Sequence, residues 1–125
     1  MAYYENLPIY KKAMELAIYL EKIVKNFSRY HKYSIGKDMR DISRKIVVLI
    51  IKVNSKKDKR ELLTELRDTT EEIKTIILIG KEIKAFISFK QFQQAALLAV
   101  EISRQSEGWL KSQKGRTKKA GIAYA

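Results

Sequence analysis

The segment IGKDMRDISRKIVVLIIKVNS, residues 35–55, decides the architecture. Its apolar residues Ile35, Met39, Ile42, Ile46, Leu49 and Val53 recur at spacings of three and four. That period sets side chains on one face of an α-helix. Val47, Val48 and Ile51 widen the stripe beyond one face. A helix apolar on more than one side is contacted from more than one side, so this segment belongs among other helices. Ser34 stands where an N-cap is expected, and Asn54-Ser55 close the pattern.

The same period extends both ways along the chain. Upstream, Ile9, Ala13, Leu16, Leu20, Val24 and Phe27 predict a helix over residues 8–28, with Pro8 tolerated in its first turn. Residues 29–33 break the pattern and read as a loop. Downstream, Asp58 and Glu61 have capping-box spacing. They open a helix carrying Leu62, Leu66, Thr69, Ile73, Ile76, Gly80 and Ile83, broadened by Ile77, Leu78 and Ile79. Ser88 and Gln91 form a second capping box. It starts a helix with Phe92, Ala95, Ala99, Ile102, Ser106 and Trp109 on its seam, predicted to end near Ser112 before Gly115. Short links make sequence neighbours antiparallel. The expected fold is all-α: an antiparallel up-down-up-down four-helix bundle over residues 1–112, followed by a flexible basic C-terminal tail over 113–125. The apolar excess on the second and third helices predicts a subunit interface and a homo-oligomer.

Composition narrows function. The 125 residues suit one domain. The chain has no Cys and one His, which excludes disulfides, thiolate catalysis and multi-histidine metal sites. His31, the single imidazole, falls in the predicted loop beside Tyr and Lys and reads as a solvated side chain. Asp38 with Asp41, and Glu61 with Glu65, sit at helical spacing but have basic neighbours, so ion pairing explains them. There is no glycine-rich phosphate loop. The expectation is no catalytic set, no metal and no cofactor. No apolar run is long enough to span a bilayer, and the N-terminus lacks a signal-peptide plan, so a cytoplasmic protein without a membrane role is expected.

The charge is the informative property. Lys plus Arg number 26 against 14 Asp plus Glu, a net +12. Such a balance on a small body points to a polyanionic partner. Lys52, Lys56, Lys57, Lys59 and Arg60 surround one turn against Asp58 alone. Lys74, Lys81 and Lys84 fall near one face of the third helix. Lys111, Lys114, Arg116, Lys118 and Lys119 give the tail a charge of +5. Together with Arg104, these cations are the candidate nucleic-acid-binding residues, with RNA first and DNA second, held through phosphates. The tyrosines are better explained as bundle ends than as base-stacking platforms, and Trp109 as core or interface.

Several stretches resemble the accessory variability determinant family of diversity-generating retroelements. The likeness runs from about Tyr10 to Lys111. It is strongest in Ile87-Ser-Phe-Lys-Gln-Phe92, Ala95-Ala, Val100-Glu-Ile-Ser-Arg104 and Glu107-Gly-Trp-Leu-Lys111. Phe27 with the basic loop after it, and Ile50 to Asn54, fit as well. This chain has Ser103-Arg104 where the family usually shows Gly-Arg, and Leu78 where a second cation would follow Lys74. The resemblance implies a small basic four-helix protein without catalytic activity that assembles as a pentamer. It further implies binding of the element's reverse transcriptase and template RNA in support of mutagenic complementary-DNA synthesis. The alternative is a four-helix protein of the ribosomal RNA intervening-sequence type, with a binding or structural role.

Overall fold

The computed structural model describes residues 3–124, with side chains described through residue 113. A 3-10 turn, Tyr4–Asn6, precedes α1 (Pro8–Val24), α2 (Arg29–Lys32), α3 (Ile35–Ser55), α4 (Arg60–Glu82) and α5 (Phe89–Tyr124). No strand occurs among the described residues. The long helices pack as a four-helix bundle: α1 against α3, α3 against α4, α4 against α5, and α5 back against α1.

Most seam residues of the sequence reading lie in the core or against it, with Ile83 exposed and Ile50 added. Leu16, Leu20, Ile46, Ile50, Leu66, Ile73, Ile77 and Ile102 are almost entirely removed from water. Burying each such side chain contributes about 1.5–3 kcal/mol before the entropy of ordering it is subtracted. Between these layers lies a band of small hydroxyl residues, Ser43, Thr69, Thr70, Ser103 and Ser106. Four of them donate to carbonyls of their own helix: Ser43 to Arg40, Thr69 to Glu65, Thr70 to Arg67 and Ser106 to Ser103. This back-bonding satisfies a buried hydroxyl locally. Ser103 instead donates across to Glu71 Oε1 at 3.0 Å.

Several helix ends differ from expectation. α1 stops at Val24, four residues early, and Phe27 tucks into the core as the chain turns. The expected loop at 29–33 contains the single turn α2, capped by Ser28 Oγ accepting from the His31 amide. Ser34 is the N-cap residue of α3, as expected, but its hydroxyl makes no capping bond; it donates to Tyr30 O at 2.6 Å and fastens α2 instead. The N-cap of α4 is Lys59, and Asp58 Oδ1 accepts from the Arg60 amide, so the expected capping box is absent. At α5 the Ser88 hydroxyl accepts from the Gln91 amide at 3.2 Å, as predicted, while Gln91 Oε1 takes the Ile87 amide. The largest difference is at the end of α5, which runs through the predicted stop near Ser112 and Gly115 to Tyr124. The backbone expected to form a flexible tail is helical there, while the side chains of Lys114, Arg116, Lys118 and Lys119 lie outside the described ones.

The apolar excess falls on α4 as the pattern puts it, through exposed Leu78 and Ile79, but not on most of α3. On α3, Val47 and Ile51 are half-buried by neighbouring helices, and Val48 is left exposed. The large exposed apolar residues gather on α4 and α5: Leu78, Ile79, Ile83, Phe89, Leu97 and Val100. Leu78 and Val100 line a shallow groove of about 260 Å³ between the two helices, floored by Ile77, Phe92 and Ala96.

Candidate nucleic-acid interface

The turn joining α3 to α4 carries the densest of the expected cations, and it divides them by role. Lys59 is half-buried, and its Nζ donates to Val53 O at 2.9 Å, Asn54 O at 3.4 Å and Lys56 O. It satisfies the carbonyls left open at the C-terminal end of α3, where the helix dipole also favours a cation. Arg60 is bound to Asp58, Nε to Oδ1 and Nη2 to Oδ2, both at 3.2 Å. That pairing holds the Asp58 carboxyl below the usual carboxylate range. Lys52, Lys56 and Lys57 are exposed and make no ion pair among the described residues. They are the three cations of this turn left for a ligand.

The other expected cations do not join them in one patch. Lys74 is paired with Glu71 at 3.0 Å. This bond, with Ser103 second and the Arg67 field behind it, lowers the Glu71 pKa. Arg104 is paired with Glu101. Lys81 lies over the Phe92 ring, 5.2 Å from its centroid. Arg67 of α4 meets Glu107 of α5, which brings exposed Lys111 toward the α3–α4 turn. Lys81 and Lys84 stand at the opposite end, where Phe86 packs edge-on against Phe27 at 5.5 Å. About 30 Å of helix separates the two groups at 1.5 Å per residue.

Lys84 adopts φ 60°, alone among the described non-glycine residues. It follows the end of α4, where the Ala85 amide bonds back to Gly80 O at 2.9 Å and the Lys84 amide to Lys81 O at 3.1 Å. Glycine usually occupies that left-handed position because a Cβ there costs about 1–2 kcal/mol. Lys84→Gly should therefore raise stability by about 1 kcal/mol in a denaturant titration.

The pairing reading holds for Asp41 and Glu65, with different partners, while Asp38 and Glu61 make no ion pair among the described residues. Asp41 binds Lys37 at 2.6 Å and lies 3.9 Å from Arg44, rather than pairing with Lys45, which lies 3.7 Å from Glu65. No cluster of His, Asp or Glu among the described residues could hold a metal ion. No helix among them is long and apolar enough to cross a membrane.

One basic group escaped the sequence reading. Lys22 and Lys25 from the end of α1, Lys32 from α2 and Arg40 from α3 line a common cleft. Its signal is present in the sequence, since residues 22–37 contain no acidic residue at all.

The bundle, its basic ends and its seam fit the resemblance drawn from the α5 motifs. A family model described as bAvd-like matches residues 7–113. The chain belongs to the bAvd-like family. The match covers α1 to α4 whole, so the likeness first carried by α5 extends to the bundle. A search of curated proteins finds no match to this bAvd-like chain.

Proposed function

We propose that the protein is a non-catalytic, cytoplasmic accessory of a diversity-generating retroelement, binding the element's reverse transcriptase and its template RNA through phosphates. Family membership supports the role. The single observation that carries the RNA contact is the set of exposed, unpaired lysines at the α3–α4 turn, Lys52, Lys56 and Lys57. Lysines without internal partners meet phosphates at no cost in broken ion pairs, and give affinity without sequence readout. DNA would be held by the same contacts. The mechanism is electrostatic: the scaffold neutralises template RNA and raises its effective concentration beside the polymerase. The decisive test is pull-down with the reverse transcriptase encoded beside this gene, followed by priming assays. Priming should fall to background without this protein. Equal priming without it, or no such gene nearby, would overturn the accessory role in favour of the ribosomal intervening-sequence type.

The pairing of each helix with its sequence neighbours, and of α1 with α5, supports an up-down-up-down order. The exposed apolar side chains of α4 and α5 support assembly into a ring, the pentamer of the family resemblance. A ring of identical copies uses two different patches of each subunit, and it would concentrate the charge of +12 carried by each copy. Leu97 is 61% exposed, so a charge there stays in water in the single chain. Light scattering of the Leu97→Glu variant should give a monomer where the unaltered chain gives the assembly. A monomer for both would remove the ring.

A further inference from the structure

The cleft between the end of α1, α2 and the start of α3 is built more closely than a scattering of surface lysines. It is an open cleft of about 480 Å³, lined by Ile18, Glu21, Lys22, Lys25, Lys32 and Arg40. Its one carboxylate, Glu21, is occupied by Arg44. The four lining cations make no ion pair among the described residues. Lys32 has only the Tyr33 ring beside it, 5.9 Å from the centroid. Arg40 Nε is buried and has no hydrogen-bond partner. A buried donor left open is costly, and a ligand oxygen would satisfy it.

Position in the helices explains only part of this gathering. Lys22 and Lys25 stand at a helix C-terminal end, where the dipole welcomes cations. Arg40 stands in the N-terminal part of α3, where the dipole offers no such help. The cleft is also fixed in shape. Gly36 lets α3 approach so closely that an added Cβ would lie 2.6 Å from Val24 Cγ1 and 2.9 Å from His31 O. The Ser28 and Ser34 hydroxyls tie α2 to its neighbours. The backbones that carry these cations are thereby set around one concavity before any ligand arrives.

We propose that this cleft binds a polyphosphate group, supplied either by a free nucleoside triphosphate or by the 5′-triphosphate end of an RNA. Four cations converging on one small volume match a compact group of three or four negative charges. An extended phosphodiester backbone spreads its charges along a line and suits the open α3–α4 turn instead. The guanidinium supplies fixed donors for phosphate oxygens, and the lysines supply mobile point charges. Ile18, 61% exposed at the rim, offers an apolar surface to the rest of a nucleotide.

The test uses the full chain, with tripolyphosphate as the first probe in low-salt calorimetry. One saturable site per chain is expected. The Lys25→Gln/Lys32→Gln variant and, separately, Arg40→Gln should each weaken it by about tenfold or more. The Lys56→Glu/Lys57→Glu variant should leave it unchanged. Tripolyphosphate should also raise the melting temperature of the unaltered chain and not of the cleft variants, which guards against misfolding as the cause. ATP binding at the same site identifies a free nucleotide. Preference for 5′-triphosphorylated over 5′-hydroxyl RNA, without ATP binding, identifies an RNA end. Absence of saturable tripolyphosphate binding, or equal loss in the Lys56/Lys57 variant, overturns the proposal. Neither result bears on template binding at the α3–α4 turn, which the turn variant reads independently.

Discussion

Charge reversal at Lys52, Lys56 and Lys57 together should lower affinity for RNA by about two orders of magnitude near 100 mM salt. Each lysine lost from a phosphate reduces the slope of log affinity against log salt by about one, so the slope should become shallower by about three. The bundle should stay folded, because all three side chains are exposed and bear no internal bond. Lys59 and Arg60 are left out deliberately, although they stand in the same run of charge. Glutamate at position 59 would set a carboxylate against the carbonyls of Val53 and Asn54 that Lys59 now satisfies. Loss of RNA binding in such a variant would report damage to the turn rather than a lost phosphate contact. Filter binding across a salt series checks the prediction, with circular dichroism as the folding control. Unchanged affinity and slope would remove the turn from the interface.

Gly36→Ala should destabilise the protein by about 1–3 kcal/mol, against the direction of helix propensity. Alanine is the better helix former by about 1 kcal/mol, so an exposed glycine would gain from the change. Gly108 is such a site, with open space around an added Cβ, and Gly108→Ala should stabilise by up to about 1 kcal/mol. At Gly36 the obstacle includes a backbone oxygen, His31 O, which a rotamer change cannot move. The new methyl must therefore displace α2 or open the α1–α3 contact. Paired urea titrations of the two variants should shift the midpoint in opposite directions. The same direction for both would show that the turn between α1 and α3 yields more easily than its packing implies.

The difference between the two glycines also marks what a sequence can convey. Both interrupt a helical pattern, and only the neighbours that tertiary packing brings distinguish them. The long helices were legible because Ile46, Leu49, Val53, Leu66 and Ile73 repeat at a spacing that few other structures satisfy. Helix ends were less so, since Ser34 and Asp58 each had alternative bonding partners that compete with capping. The basic run at 52–60 was visible as charge, but its division was not. Whether a lysine is free or already bonded depends on where carbonyls and carboxylates fall in space, as Lys59 and Lys74 demonstrate. The acid-free run at 22–37 shows that basic charge gathers there, but the packing of α2 is what brings Lys22, Lys32 and Arg40 around one cleft.

The hydroxyl band at the centre of the bundle has a consequence for how the sequence can drift. Ser43, Thr69, Thr70 and Ser106 each close their bond within their own helix. Removing such a hydroxyl strands no donor or acceptor on a facing helix. Alanine can enter these positions one at a time, and valine the two threonines, with no matching hydrogen-bond change across the core. Alignment of the helices rests instead on shape near one end, where Gly36 meets Val24 and Gly80 meets Met39. These four hydroxyl positions are thus free to vary while the tight approaches near one end help hold the helices in step.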